Sequence, residues 1–268
     1  MSRVVLKLGG DVLAPPKLET VADDVARARA AGHRLVIVHG GGPQATDLSK
    51  RLGIEPRLVG GRRVTDGPTL DVVKMVVAGK LNVDLVAALR AAGVPAVGVS
   101  GASGVIRAHR RPPKVVSGGG AEPIDFGFVG DVDDFDVEYL SAIEAAGRAP
   151  VLACLGADAR GAPLNINADV VASQLAAALA ADALVACTAV GGVRRDKDDP
   201  SSRLARLTVA EAKAAIVAAT IQGGMIPKVE EAFAPLEAGV AAVLIVGPGE
   251  MTESLASPGS AGTWLVRG

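Results

Sequence analysis

The chain has 268 residues, 49% of them apolar and 21% charged, which suits one large α/β domain or two joined lobes and is too apolar for a disordered segment. Its 28 lysines and arginines balance 29 aspartates and glutamates, and aromatics are only 2%, so no nucleic-acid surface, membrane surface or base-stacking platform is expected. Small-molecule chemistry is the expectation that remains. Cys154 and Cys187 stand singly in apolar runs, without the paired spacing of a zinc or redox motif, and read as reduced core residues. The first seven residues lack the regions of a signal peptide, and the apolar stretch 170–187 is interrupted by Ser173, Gln174 and Asp182. A cytoplasmic chain without a membrane span is expected.

In chain order, apolar β-rich runs at 4–8, 35–39, 96–100, 151–155, 183–188 and 241–246 predict parallel strands covered on both faces. Helical patterns lie between them at 18–31, 43–52, 68–92, 136–147, 168–181, 208–219 and 227–238, several closed by a glycine such as Gly32, Gly93 or Gly147. The alternation predicts a doubly wound α/β fold, an open and mostly parallel sheet sandwiched by helices. Residues 105–132 break the rhythm with Pro112-Pro113, Gly118-Gly119-Gly120 and the alternating Phe126-Gly127-Phe128-Val129-Gly130. They predict a hairpin-rich insertion near the sheet's C-terminal edge, where open α/β sheets bind ligands.

Lys7 is embedded in the apolar strand Val4-Val5-Leu6-Lys7-Leu8 and is followed by Gly9-Gly10. An unpaired cation there is costly and calls for an anionic partner, unless the side chain snorkels from the strand end. His39-Gly40-Gly41-Gly42-Pro43 follows the second strand and opens a helix; it is either a plain tight turn or a set of amides aimed at a phosphate or carboxylate. Its Gly40-x-Gly42-x-x-Ala45 spacing meets a relaxed dinucleotide fingerprint, but after the wrong strand and without the later acidic residue. The esterase nucleophile motif G-x-S-x-G and the P-loop are both absent.

Arg63, in Arg62-Arg63-Val64-Thr65-Asp66, suits a carboxylate because its fork donates two parallel hydrogen bonds. Asn165-Ile166-Asn167-Ala168-Asp169 opens a helix, where an asparagine often serves only as a cap. The alternation there also sends Asn165, Asn167 and Asp169 toward one cleft, with Asp169 able to hold two lysines. Gly224-Met225-Ile226-Pro227-Lys228 puts Lys228 in the first turn of the helix predicted at 227–238, where a cation is disfavoured unless an anion binds beside it.

Taken in order, these motifs resemble those of the N-acetylglutamate kinase family within the amino acid kinase superfamily, as do Phe126-Gly127-Phe128-Val129-Gly130-Asp131 and Gly262-Thr263. The resemblance spans essentially the whole chain. It implies an N-terminal lobe, residues 1–167, that binds N-acetyl-L-glutamate and dimerises, and a C-terminal lobe, residues 168–268, that binds ATP with Mg2+. It further implies Lys7 and Lys228 on the transferring phosphoryl group and Asp169 orienting both. Gly41, Gly42, Arg63, Asn165 and Asn167 would bind substrate, Gly9 and Gly10 would line the phosphate path, and no residue is assigned as a metal ligand.

Two positions depart from the family pattern. Ala189 in Thr188-Ala189-Val190 stands where an aspartate is usual, and Ser103 stands where an acidic residue is common. A kinase of carrier-linked aminoadipate and a non-catalytic ligand sensor are the competing readings. Because the first strand begins by Arg3, an arginine-insensitive homodimer is expected rather than an arginine-inhibited hexamer.

Overall fold

The structure is a computed structural model that describes residues 2–116, 120–196 and 198–268; Gly118 and Gly119 of the glycine run lie outside the described residues. The first half alternates β1 (Arg3–Leu8), α1 (Lys17–Ala30), β2 (Arg34–His39) and α2 (Gly42–Arg51), followed by the short hairpin β3 (Leu58–Val59) and β4 (Arg62–Arg63). A long helix comes next, α3 (Gly67–Val73) running through the wider π-type turns of Lys74–Leu81 into α4 (Asn82–Ala91). Then come β5 (Ala96–Ser100), β6 (Ile106–Arg110), β7 (Gly130–Phe135), α5 (Val137–Ala145) and β8 (Ala149–Ala153). The hairpin β9 (Leu155–Ala157) and β10 (Pro163–Asn165) precedes α6 (Ala168–Ala178), β11 (Ala183–Cys187), β12 (Arg206–Thr208) and α7 (Val209–Val217). The chain closes with α8 (Met225–Glu230), α9 (Phe233–Glu237), β13 (Ala242–Val246), α10 (Met251–Ala256) and β14 (Thr263–Val266).

Eight strands form the main sheet in the order β12-β14-β13-β11-β1-β2-β8-β5, parallel from β13 to β5, with β14 antiparallel to β13. The six predicted strands are its six parallel members. β1 is central, pairing β2 on one edge and β11 on the other, with Lys7 opposite Val38 and Ala186. Successive side chains of a strand point to opposite faces. Val4, Leu6 and Leu8 therefore join the core layer containing α1, α3, α4 and α10, while Val5 joins the layer built with α5, α6, α7, α8 and α9. Lys7 shares the Val5 face, which brings it beneath the start of α6.

A second sheet has the order β10-β9-β6-β7; the insertion at 105–132 supplies β6 and the start of β7, which form an antiparallel pair. Its loop docks on the segment before α3: Thr65 donates its amide to Phe126 O at 2.9 Å, and Phe128 returns an amide to Thr65 O at 2.7 Å. Gly127 makes that approach workable. Its φ is 72°, and a Cβ there would lie 2.3 Å from Thr65 O. Two predicted helices differ in detail: 68–92 contains the π-type turns, and 227–238 is broken into α8 and α9.

Candidate active site

The C-terminal ends of β1, β2 and β11 meet in one place, since Gly40 donates to Leu8 O and Gly9 to Cys187 O. A cleft of about 610 Å³ opens there, and Lys7, Gly9, Gly10, Gly41, Gly42, Arg63, Asn165, Asn167 and Asp169 all line it. Lys228 lines a small cavity that adjoins this cleft and shares Lys7, Asp169 and Glu231 with it. All ten residues singled out in the sequence thus fall in one connected region.

Lys7 pairs with Asp169 at the start of α6. Burial is the largest influence on the Lys7 ammonium and would lower its pKa. Asp169, by charge and hydrogen bond, then Glu231 and Asp11, outweigh it, and the pKa is raised above 10.5. The stability carried by the raised Lys7 pKa is present below pH 10.5 and is lost as pH rises through the folded-state value. Among the described residues Asp169 has an ion pair with Lys7 and none with Lys228. Lys228 also sits in the last turn of α8, because the helix starts at Met225. The dipole penalty inferred from a first-turn position therefore does not apply.

The glycine turn is shaped from below. His39, fully buried at the end of β2, donates Nδ1–H to Gly40 O at 3.0 Å, and its Nε2 accepts from Asn82 Nδ2 at 3.0 Å. Burial is the main influence on the imidazole and lowers its pKa, which keeps this neutral tautomer. A Cβ on Gly41 would lie 2.4 Å from Leu81 Cδ1, so the π-type turns press directly against the turn. Gln44 Nε2 ties the Gly10 carbonyl in at 2.6 Å. α2 then starts with no side-chain cap, which leaves first-turn amides for an anionic ligand.

Arg63 lies on β4 rather than in a free loop. Its Nη2 donates to Gly42 O at 3.0 Å and Thr46 Oγ1 at 2.6 Å, while the buried Nη1 has no partner. Arg63 lines the cleft, and these two bonds leave part of its five-donor fork unused, which suits a carboxylate. Desolvation lowers its pKa. Asn165 Nδ2 reaches Thr65 Oγ1 at 3.1 Å, and Asn167 Oδ1 accepts from the Asp169 amide at 2.7 Å, the ordinary cap of α6. Capping occupies the Asn167 oxygen but not its amide nitrogen.

Several lining groups escaped the sequence reading. Arg62, Lys114 and an Arg111–Asp131 pair add charge to the cleft walls, with Arg111 Nη2 to Asp131 Oδ1 at 2.6 Å. Asp11 Oδ2 accepts the Ala189 amide at 2.9 Å, so a carboxylate does reach the loop where Ala189 replaces the usual aspartate. Glu231 is solvent-exposed as a residue, yet its carboxyl faces the cleft, and desolvation followed by the charge of Asp169 pushes its pKa up to about 7. The available signal was its spacing of three from Lys228, one helical turn. Cys154 lines the cleft but burial pushes its thiol pKa far up, and Cys187 rises to about 12 for the same reason, so neither is a poised nucleophile.

Residues 2–247 match the Amino acid kinase family. The acetylglutamate kinase of Anaeromyxobacter dehalogenans strain 2CP-1 is 54% identical over 99% of this chain and 99% of its own. That of Sorangium cellulosum is 52% identical over 98% and 94%. Among solved structures, an N-acetylglutamate synthase from Neisseria gonorrhoeae, complexed with coenzyme A and N-acetyl-glutamate, superposes with a TM-score of 0.83 at 26% identity, covering all of this chain and 60% of that one. Profile, full-length relatives and sheet topology agree: the chain belongs to the amino acid kinase family.

Proposed function

We propose that the protein transfers the γ-phosphoryl group of ATP to the side-chain carboxylate of N-acetyl-L-glutamate, giving N-acetylglutamyl 5-phosphate, in the cytoplasm as a step of arginine biosynthesis. The observation that carries this reading is one cleft lined both by the Arg63 guanidinium and by the Lys7–Asp169 pair, in a chain whose full-length relatives are named acetylglutamate kinase. Those names give no support to a carrier-linked aminoadipate kinase or a non-catalytic sensor. No helix among the described residues is long and apolar enough to cross a membrane.

The chemistry follows from charge and position. A side-chain carboxylate is already ionised at neutral pH, so it attacks the γ-phosphorus without a general base. The new carboxyl O–P bond forms as the bond to the β,γ-bridging oxygen breaks, and ADP leaves with that electron pair. Arg63, Asn165 and Asn167 hold the acceptor, with the turn at Gly41 and Gly42 lying against it. Gly9 and Gly10 leave room for the phosphates, and Lys7 and Lys228 meet the charge that develops on the transferring group. Among the described residues no group of three or more His, Cys, Asp or Glu is placed to hold a metal ion. Mg2+ fits here as an ion carried on the triphosphate, where it would neutralise β- and γ-oxygens. In this reading residues 1–167 supply the acceptor end and residues 168–268 the ATP end.

The test is a coupled ADP-release assay with N-acetylglutamate, glutamate, aspartate and carbamate offered separately. Turnover confined to N-acetylglutamate is expected; ATP binding without turnover on any acceptor would reject the assignment. Arg63→Lys is expected to raise KM for N-acetylglutamate roughly tenfold and to leave KM for ATP nearly unchanged, because a point charge cannot replace the fork. Equal changes in both constants would remove Arg63 from the acceptor end. The assembly expected is a homodimer, with Met75 and Val83 exposed on the long helix as candidate contacts, 52% and 63% accessible. Light scattering at the mass of a monomer or hexamer would exclude it.

A further inference from the structure

Three carboxylates line the cleft, and two of them have partners: Asp169 pairs with Lys7 and Asp131 with Arg111. Glu231 has no such ion pair among the described residues. It lines both the large cleft and the small cavity beside it, and so stands at their junction. The charged groups that act on it come from four elements: Asp169 at the head of α6, Lys7 on β1 and Lys228 on α8, one turn before it, line the small cavity with it, and Arg62 on β4 lines the large cleft. Three cations and a second carboxylate therefore share these cavity walls with a carboxylate that has no ion pair among the described residues, beside the lysines proposed to meet the phosphoryl group. A fully charged Glu231 would oppose the anion that the lysines attract.

We propose that Glu231 is a proton-accepting residue of the phosphoryl-transfer site, a counter-charge to Lys7, Lys228 and Arg62 that takes up one proton as the triphosphate's anionic oxygens replace it beside them. This rests on the kinase reading of the cleft. The proton comes from solvent, stays on the Glu231 carboxyl while the donor is bound, and returns to solvent when the nucleotide leaves. Once protonated, the group changes from a repelling acceptor into a hydrogen-bond donor for a phosphate oxygen. Its pKa already lies at about 7 through desolvation and Asp169, with Lys7, Lys228 and Arg62 pulling the other way. Phosphate oxygens engaging those cations add negative charge next to the same carboxyl and raise its pKa further.

Calorimetric titration of the full chain with a non-hydrolysable ATP analogue and Mg2+, in buffers of different ionisation enthalpy, measures the linked proton directly. At about pH 7.5 wild type is expected to take up roughly 0.5 to 0.8 proton more than Glu231→Gln. Equal uptake by the two proteins would overturn the proposal. If Glu231→Gln does not fold, the wild-type dissociation constant decides, and it should rise roughly 5- to 10-fold between about pH 7 and 8.5. A flat profile would overturn it equally. Both readouts use nucleotide alone, so they separate from the acceptor question. Proton-linked binding without turnover rejects the acceptor assignment and supports the Glu231 role, and turnover without proton linkage does the reverse.

Discussion

Lys7→Ala and Lys228→Ala are each expected to lower turnover by roughly 100- to 1000-fold, the loss seen when one preorganised charge is removed from a developing anion. Binding of N-acetylglutamate should change far less, because its proposed contacts are Arg63, Asn165 and Asn167 rather than the lysines. The two lysines are more than two hundred residues apart in sequence, yet each lines the small cavity with Asp169. If they act on one phosphoryl group, the double variant should cost much less than the product of the single effects. Steady-state turnover of the two single variants and the double variant measures this. If Lys228→Ala turns over at the wild-type rate, the site must be redrawn around Lys7 alone.

Asp169→Asn should have the next largest effect, and through a different cause. It removes the charge that lets Lys7 be buried while keeping nearly the same shape. Breaking such a pair costs about 3 kcal/mol, the low end of the usual range because the Asp169 side chain keeps 27% of its exposure. Against a total stability of about 5–15 kcal/mol the variant still folds. Its melting temperature should fall roughly 6–12 °C, and a Lys7 ammonium displaced by an ångström should lower turnover roughly 100-fold. Thermal melts beside turnover check this, and an unchanged melting temperature would mean that the pair contributes no stability.

The parallel strands could be read from the sequence because a strand buried on both faces leaves an uninterrupted apolar run. The pieces that were missed lack that signature. β12 and β14 are short and lie among Gly, Ser and Arg residues, and α10 follows Gly247-Pro248-Gly249. The β9–β10 hairpin was hidden because Leu155 continues the apolar run of β8 across Cys154. The break between α8 and α9 at Glu231-Ala232 also has no sequence mark, since Glu230-Glu231 looks like a solvated helix face. That is why Glu231 was overlooked while Lys228, three residues earlier, was not. Lys7 was legible for the opposite reason: a lone cation in an apolar strand needs a partner, and the one supplied is 162 positions later. The idle Nη1 of Arg63 belongs to tertiary structure alone and cannot be read from spacing.

The seating of β1 between two parallel neighbours bears on how such a site can close. Displacing Lys7 would mean shearing the ladders to β2 and β11 together, a motion resisted by the whole sheet. Lys228 rides on a helix of six residues, preceded by Gly223-Gly224 and followed by the break before α9. If the two lysines do act on one phosphoryl group, that clamp is mechanically lopsided, with one jaw fixed in the sheet and the other on a short lever. Any adjustment that brings the two charges into line on a bound nucleotide would therefore fall to α8 rather than to β1.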